Sequence, residues 1–198
     1  MKKYLIIFLI VLIAQSCIGY QISKKFAPAG FSYKYDGENT GLDTLLFLHG
    51  YFMTEKVYDA SIETHERFGI DGHYYATRFY PDGLVCSVSS SDSTNIAKAF
   101  SEDSDIKDWL YWGRYIVSGD TIKVQYIFDN DVMSSSTAYS SSKTDYIIAG
   151  RSTVFRIPNA KEQGTTTEPV RNKYNFYPMI NSLSPANCPW LKKEWFSK

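Results

Sequence analysis

The sequence predicts a mainly β fold, an antiparallel meander closed as a β-barrel with one or two short helices, and three observations carry it. Short runs rich in Val, Ile, Tyr, Phe and Thr recur between turn residues, the pattern of sequential hairpins. The clearest strand, Thr121–Phe128, alternates Ile122, Val124, Tyr126 and Phe128 with Thr121, Lys123 and Gln125, so one face is apolar and the other polar. Helical periodicity is sparse. A meander leaves two exposed edges, and closure into a barrel removes them.

Taken in order, the elements begin with a targeting segment. Lys2 and Lys3 precede an apolar run from Tyr4 to Ala14, far shorter than the ~20 residues that span a bilayer, so the first sixteen residues read as a secretion signal. Ala14, Ser16 and Cys17 make the cleavage region resemble the lipobox of bacterial lipoproteins. That resemblance implies a diacylglyceryl thioether on Cys17, cleavage before it and acylation of the new amine. Residues 1–16 are then signal peptide, 17–40 a lipidated N-terminus and tether, and 41–198 a single β-barrel-like domain. Pro28 and Gly30 in the aperiodic stretch Ile18–Gly30 suit a tether.

Thr44–Phe52 reads as the first strand, apolar on both faces over Leu45–Leu48. His73–Tyr80 and Leu84–Val88 flank Pro81-Asp82-Gly83, a turn in which proline presets φ and glycine accepts positive φ. Trp112–Val117 and Thr121–Phe128 flank Ser118-Gly119-Asp120, and Asp145–Ala149 and Ser152–Ile157 flank Gly150-Arg151. Thr94–Phe100 and Pro189–Phe196 are the two short helix candidates. The serine-rich tracts Ser87–Ser93 and Ser134–Ser142 read as including loops. Together the lipobox, the Tyr80-Pro-Asp-Gly83 hairpin and the stretch Trp112–Ile122 resemble small lipocalin-like lipoproteins of Gram-negative bacteria. Thr144-Asp145-Tyr146 matches a short motif of lipocalins proper, whose Gly-x-Trp motif is absent here.

Removing the signal takes two lysines from 21 basic residues and leaves 19 against 21 acidic ones, a net charge of −2. No nucleic-acid partner is expected from that balance. The 16 Tyr, 12 Phe and 4 Trp suit both a strand-rich core and an aromatic binding surface. With Cys17 lipidated, Cys86 and Cys188 remain as an even pair in an exported chain, open either to a disulfide or to burial as plain thiols.

Catalytic motifs fail one after another. Leu45–Tyr51 has the strand and His-Gly of an α/β-hydrolase, but no Gly-x-Ser-x-Gly elbow follows. His65-Glu66 is followed by Gly69 where a zinc helix needs histidine, and His49 and His73 lack ligand spacing. Cys86 sits in an apolar alternation that supplies no base. No catalytic residue, metal or cofactor is therefore expected. The expected function is a lipid-anchored envelope module for an apolar or aromatic small molecule, held at a barrel mouth by Tyr74, Tyr75, Trp109 and Trp112. The alternative is an accessory lipoprotein that engages an envelope protein without a ligand cavity. Ile18, in place of an inner-membrane-retention aspartate, directs the anchor to the outer membrane facing the periplasm.

Overall fold

The structure is a computed structural model that describes residues 26–55, 72–106, 109–130, 138–157 and 172–197. Eight antiparallel strands, β1 (Gly50–Thr54), β2 (Tyr74–Phe79), β3 (Leu84–Ser90), β4 (Tyr111–Ser118), β5 (Thr121–Asp129), β6 (Tyr139–Gly150), β7 (Thr153–Ile157) and β8 (Asn172–Pro178), pair each with the next. β1 then pairs with β8, from Gly50 opposite Pro178 to Thr54 opposite Tyr174, and closes the barrel. Helix α1 (Leu42–Leu45) precedes β1, helix α2 (Ser93–Ala99) joins β3 to β4, and 3-10 turns at Pro185–Asn187 and Pro189–Lys192 follow β8.

The three hairpins form where turn chemistry places them. Gly83 adopts φ +88°, its amide donates to Tyr80 O at 3.2 Å, and the Asp82 carboxylate accepts from Leu84 N, so each residue of Pro81-Asp82-Gly83 has a defined part in the reversal. Gly113 in β4 has a different reason to be glycine: a Cβ there would collide with the Gln125 carbonyl of β5.

Alternation sends Phe52, Thr77, Phe79, Val85, Tyr115, Ile122, Val124, Tyr126, Tyr146, Val154 and Tyr174 inward. Their rings pack edge to face, Phe79 against Tyr115 at 5.5 Å and Tyr146 at 5.6 Å, and Tyr146 against Tyr174 at 5.6 Å. Each such pair contributes about 0.5–1.5 kcal/mol beyond its area. Buried hydroxyls are satisfied locally: the Thr77 hydroxyl lies 3.0 Å from that of Tyr146, and Tyr115 donates to Tyr80 O at 2.6 Å.

One end is plugged. Leu42, Leu46 and Leu48 join the interior cluster, and α1 lies between the β2–β3 turn, where Thr40 N donates to Pro81 O, and the β6–β7 turn, where Phe47 N donates to Arg151 O. This corrects the strand expected from Thr44: Leu46 and Leu48 turn inward and stopper the barrel while Leu45 and Phe47 face outward, and pairing begins only at Gly50. The opposite end, at which β1, β3, β5 and β7 finish, is here called the mouth.

The outer wall is not wet as the alternation predicts. Gln125 points outward yet is fully buried under a strap of residues 30–36: Ser32 N donates to its Oε1 at 2.9 Å and its Nε2 donates to Gly30 O at 2.8 Å. Arg114, also outward and buried, pairs with Asp36 at 3.0 Å. The C-terminal segment crosses the same wall, with Tyr35 N donating to Phe196 O at 2.7 Å and Phe31 stacked on Phe196 at 5.8 Å. The described part of the expected tether is thus a packed element.

The serine-rich tracts divide between strand and loop: Ser87–Ser90 and Tyr139–Ser142 are strand, with Ser87 and Ser142 at partly buried inward positions, while Ser91 and Asp92 lie outside it, as a tract that includes a loop requires. α2 forms as the pattern predicts, capped by Asp92, whose carboxylate accepts from Thr94 N at 2.8 Å. Pro189–Phe196, however, makes only a 3-10 turn over Pro189–Lys192. β8 was not legible as a strand. His65 lies outside the described residues.

The register gives a direct test. Val124→Asp puts a carboxylate into the tyrosine-filled interior and is expected to lower urea stability by about 3 kcal/mol or more. Lys123 faces outward opposite Asp145, so Lys123→Thr should stay within about 0.5 kcal/mol. Equal losses would overturn the register.

Candidate functional site: an aromatic groove on the outer wall

Filling of the middle of the barrel by Tyr126, Tyr146 and Tyr174 moves the ligand question to the outer surface. There, between the mouth-end edges of β4–β6 and the C-terminal segment, lies a groove of about 580 Å³. That volume falls within the range of small-molecule sites.

The floor is built by strand alternation. Trp112 of β4 and Ile127 of β5 point outward and are buried, with Trp112 stacked on Tyr80 at 5.7 Å and 13°. Leu110 and Tyr139 flank them where β4 and β6 begin. The facing wall comes from Leu183, Pro189 and Trp190, and Tyr139 meets Trp190 edge to face at 5.2 Å. The 3-10 turn Pro189–Lys192 orients Trp190: proline starts it, Leu191 N donates back to Cys188 O, and Lys193 N donates to Trp190 O at 2.9 Å.

Polar groups stand at the edges. Asn187, Asp129 and Lys193 border the groove, and Lys193 Nζ sits 5.4 Å from the centre of the Tyr139 ring. The Trp190 indole N–H is buried without an acceptor. Aromatic and aliphatic walls with a few peripheral polar groups suit a flat or apolar small molecule, whose polar end would meet Lys193 or Asn187.

The four residues expected to bind ligand do not converge. Trp112 lines the groove, and Trp109 stands exposed immediately before Leu110. Tyr75 points into the barrel near the mouth, paired with Ser89, while Tyr74 packs outward against the apolar cluster of the outer wall that includes Tyr80, Cys86 and Trp112. The reason is parity: neighbours on one strand face opposite ways. Sequence reasoning missed Leu110, Ile127, Tyr139, Leu183 and Trp190. Only Trp190 carried a local signal, the aromatic run of the C-terminal segment.

Cys86 and Cys188 are both free and buried within one apolar cluster, the second of the two states the sequence left open. Burial pushes both thiols from the ordinary 9 up to about 12; the Tyr80 hydroxyl, 3.7 Å from Cys86 Sγ, and Arg78 only partly oppose it at Cys86. Thiols held so far from thiolate behave as small hydrophobes. His49 is exposed beside Gly50, where its carbonyl accepts from Met179 N. Among the described residues no three His, Cys, Asp or Glu side chains gather as a metal site.

No protein-family model, curated protein or solved structure matches this chain. What is established is therefore the class the geometry defines, a closed eight-stranded antiparallel barrel with a strapped outer wall and a lateral aromatic groove.

The thiols give the second test. Their folded values exceed their unfolded ones, so under reducing conditions their contribution to stability is complete below pH 9 and is lost as pH rises toward 12. Between pH 9 and 10, where the raised tyrosines such as Tyr126 and Tyr174 also begin to cost stability in both proteins, the urea midpoint should fall in the parent and fall less in the Cys86→Ala/Cys188→Ala variant. Identical declines would remove the thiols from the account.

Proposed function

We propose that the protein is a lipid-anchored envelope lipoprotein that binds an apolar or aromatic small molecule. Cys17 in its lipobox-like setting supports the anchor: two or more acyl chains hold a domain stably where a single myristoyl chain gives only ~10⁴ M⁻¹. The outer membrane facing the periplasm is the address that Ile18 supports. The barrel and its hairpins support kinship with small lipocalin-like lipoproteins, with the binding site relocated from the barrel interior to the outer wall. The observation that carries the binding reading is the 580 Å³ groove walled by Trp112, Tyr139 and Trp190.

A second reading, an accessory lipoprotein for a protein partner, draws on the aromatic packing inside the barrel. A naphthylamine dye that brightens in apolar surroundings separates the two. Asn187 is exposed at the groove's edge, so Asn187→Trp should fill the site without disturbing the core. The expected result is dye binding by the parent and at least about tenfold weaker binding by the variant, a difference of about 1.4 kcal/mol, with unchanged thermal stability. Absence of dye binding by the parent, or equal binding by both proteins, would reject the groove as the ligand site.

A further inference from the structure

The groove holds one unbalanced charge. Asp129 and Lys193 are the charged residues that line it. Asp129 is exposed at the end of β5 and is itself engaged. Lys193 is half-buried, its Nζ lies over the Tyr139 ring, and among the described residues no carboxylate pairs with it. A second donor in the same wall is unmet: Trp190 is 7% exposed, and its indole nitrogen has no acceptor. Buried donors are ordinarily paired, so an unpaired one marks a place for an acceptor.

The fold puts these two donors together. Lys193 N donates to Trp190 O at 2.9 Å, and side chains three apart across a 3-10 turn lie on one side of it. Both meet the same ring of β6, Trp190 edge to face with Tyr139 at 5.2 Å and Lys193 Nζ at 5.4 Å from its centre. Asn187 is spent elsewhere: its Nδ2 donates to Ser184 O at 3.3 Å and to Glu102 Oε1 at 3.4 Å, and Ser184 N donates to Glu102 Oε2 at 2.7 Å. Glu102 thus uses both oxygens locally and serves neither donor of the groove.

A ligand that answers this wall is planar, offers acceptors and no donor, and carries a negative charge. A carboxylate attached to an aromatic ring meets all three conditions. With the groove taken as the ligand site, a reading on which this step rests, we infer that the groove selects an aromatic carboxylate. Its ring lies on the Trp112 floor against Trp190, and its carboxylate pairs with Lys193 and accepts from the Trp190 N–H. Lys193 is then the residue that sets specificity. Aromatic walls also hold ammonium groups. A cationic ligand, however, would meet Lys193 on the face of Tyr139 and leave the Trp190 N–H unpaired, so the geometry disfavours it.

The test uses the full protein and three probes of one shape, naphthoate, naphthamide and naphthyltrimethylammonium, each competing with the naphthylamine dye at neutral pH and low ionic strength, where screening is least. The parent is expected to bind naphthoate at least about tenfold more tightly than naphthamide, and the ammonium probe more weakly than either. In Lys193→Gln the preference for acid over amide should fall to within about twofold of none, whereas Lys192→Gln, which removes the same charge from an exposed neighbour, should keep it. Each preference is a ratio measured on one protein, so a partial loss of fold cancels. Naphthoate should also move the indole N–H resonance of Trp190, assigned with Trp190→Phe, downfield. Equal binding of acid and amide by the parent, tighter binding of the ammonium probe, equal loss of preference in the two lysine variants, or an unmoved Trp190 resonance would overturn the inference. A dye that binds but yields to none of the probes overturns it alone, while a parent that binds neither dye nor probe rejects the groove as a ligand site and the inference with it.

Discussion

Closure between β1 and β8 is the constraint from which the rest of the molecule follows. It removes both sheet edges and creates an interior that every second side chain must fill. An eight-stranded barrel is just wide enough for side chains to fill it. Here Phe52, Phe79, Tyr115, Tyr126, Tyr146 and Tyr174 occupy that space, with hydroxyls meeting one another, Thr77 or a backbone carbonyl. Burial holds Tyr126 and Tyr174 well above the ordinary tyrosine value, so these two phenols stay neutral.

Beside this packed middle, the outer wall carries the second feature of the described residues. The strap and the C-terminal segment cover β4 and β5 and turn outward residues into a second core. The cost is visible in Arg114, whose guanidinium is balanced by Asp36 and the Tyr35 ring while Nε and Nη1 have no partner. The same covering segments leave a gap toward the mouth, and that gap is the groove. Its walls come from positions far apart in the chain, Leu110, Tyr139 and Trp190, which only closure and strapping bring together.

This geometry explains what was legible in the sequence. Hairpins β2–β3, β4–β5 and β6–β7 announce themselves through local turn chemistry, such as Gly83 at positive φ, and through two-residue alternation. Local pattern cannot distinguish a buried strand from a plug, so Leu45–Leu48 read as β when it caps the barrel. β8 hides Tyr174 and Phe176 among Asn172, Lys173 and Asn175, and its strand character comes from pairing with β1. The inward register of Ile122, Val124 and Tyr126 was readable, but not the burial of Gln125, because a distant strap covers it. Of the groove, Trp112 was visible by residue type and its partners were not.

The central claim is that small apolar molecules bind on the outer wall of this barrel, and the most direct measurement is intermolecular NMR contact between the naphthylamine dye and methyl-labelled protein. Leu110, Ile127 and Leu183 report the groove, whereas Val85, Val124 and Val154 report the barrel interior. The account predicts dye contacts to the first set and none to the second. Contacts to Val124 and Val154 would contradict it and return the ligand to the barrel interior.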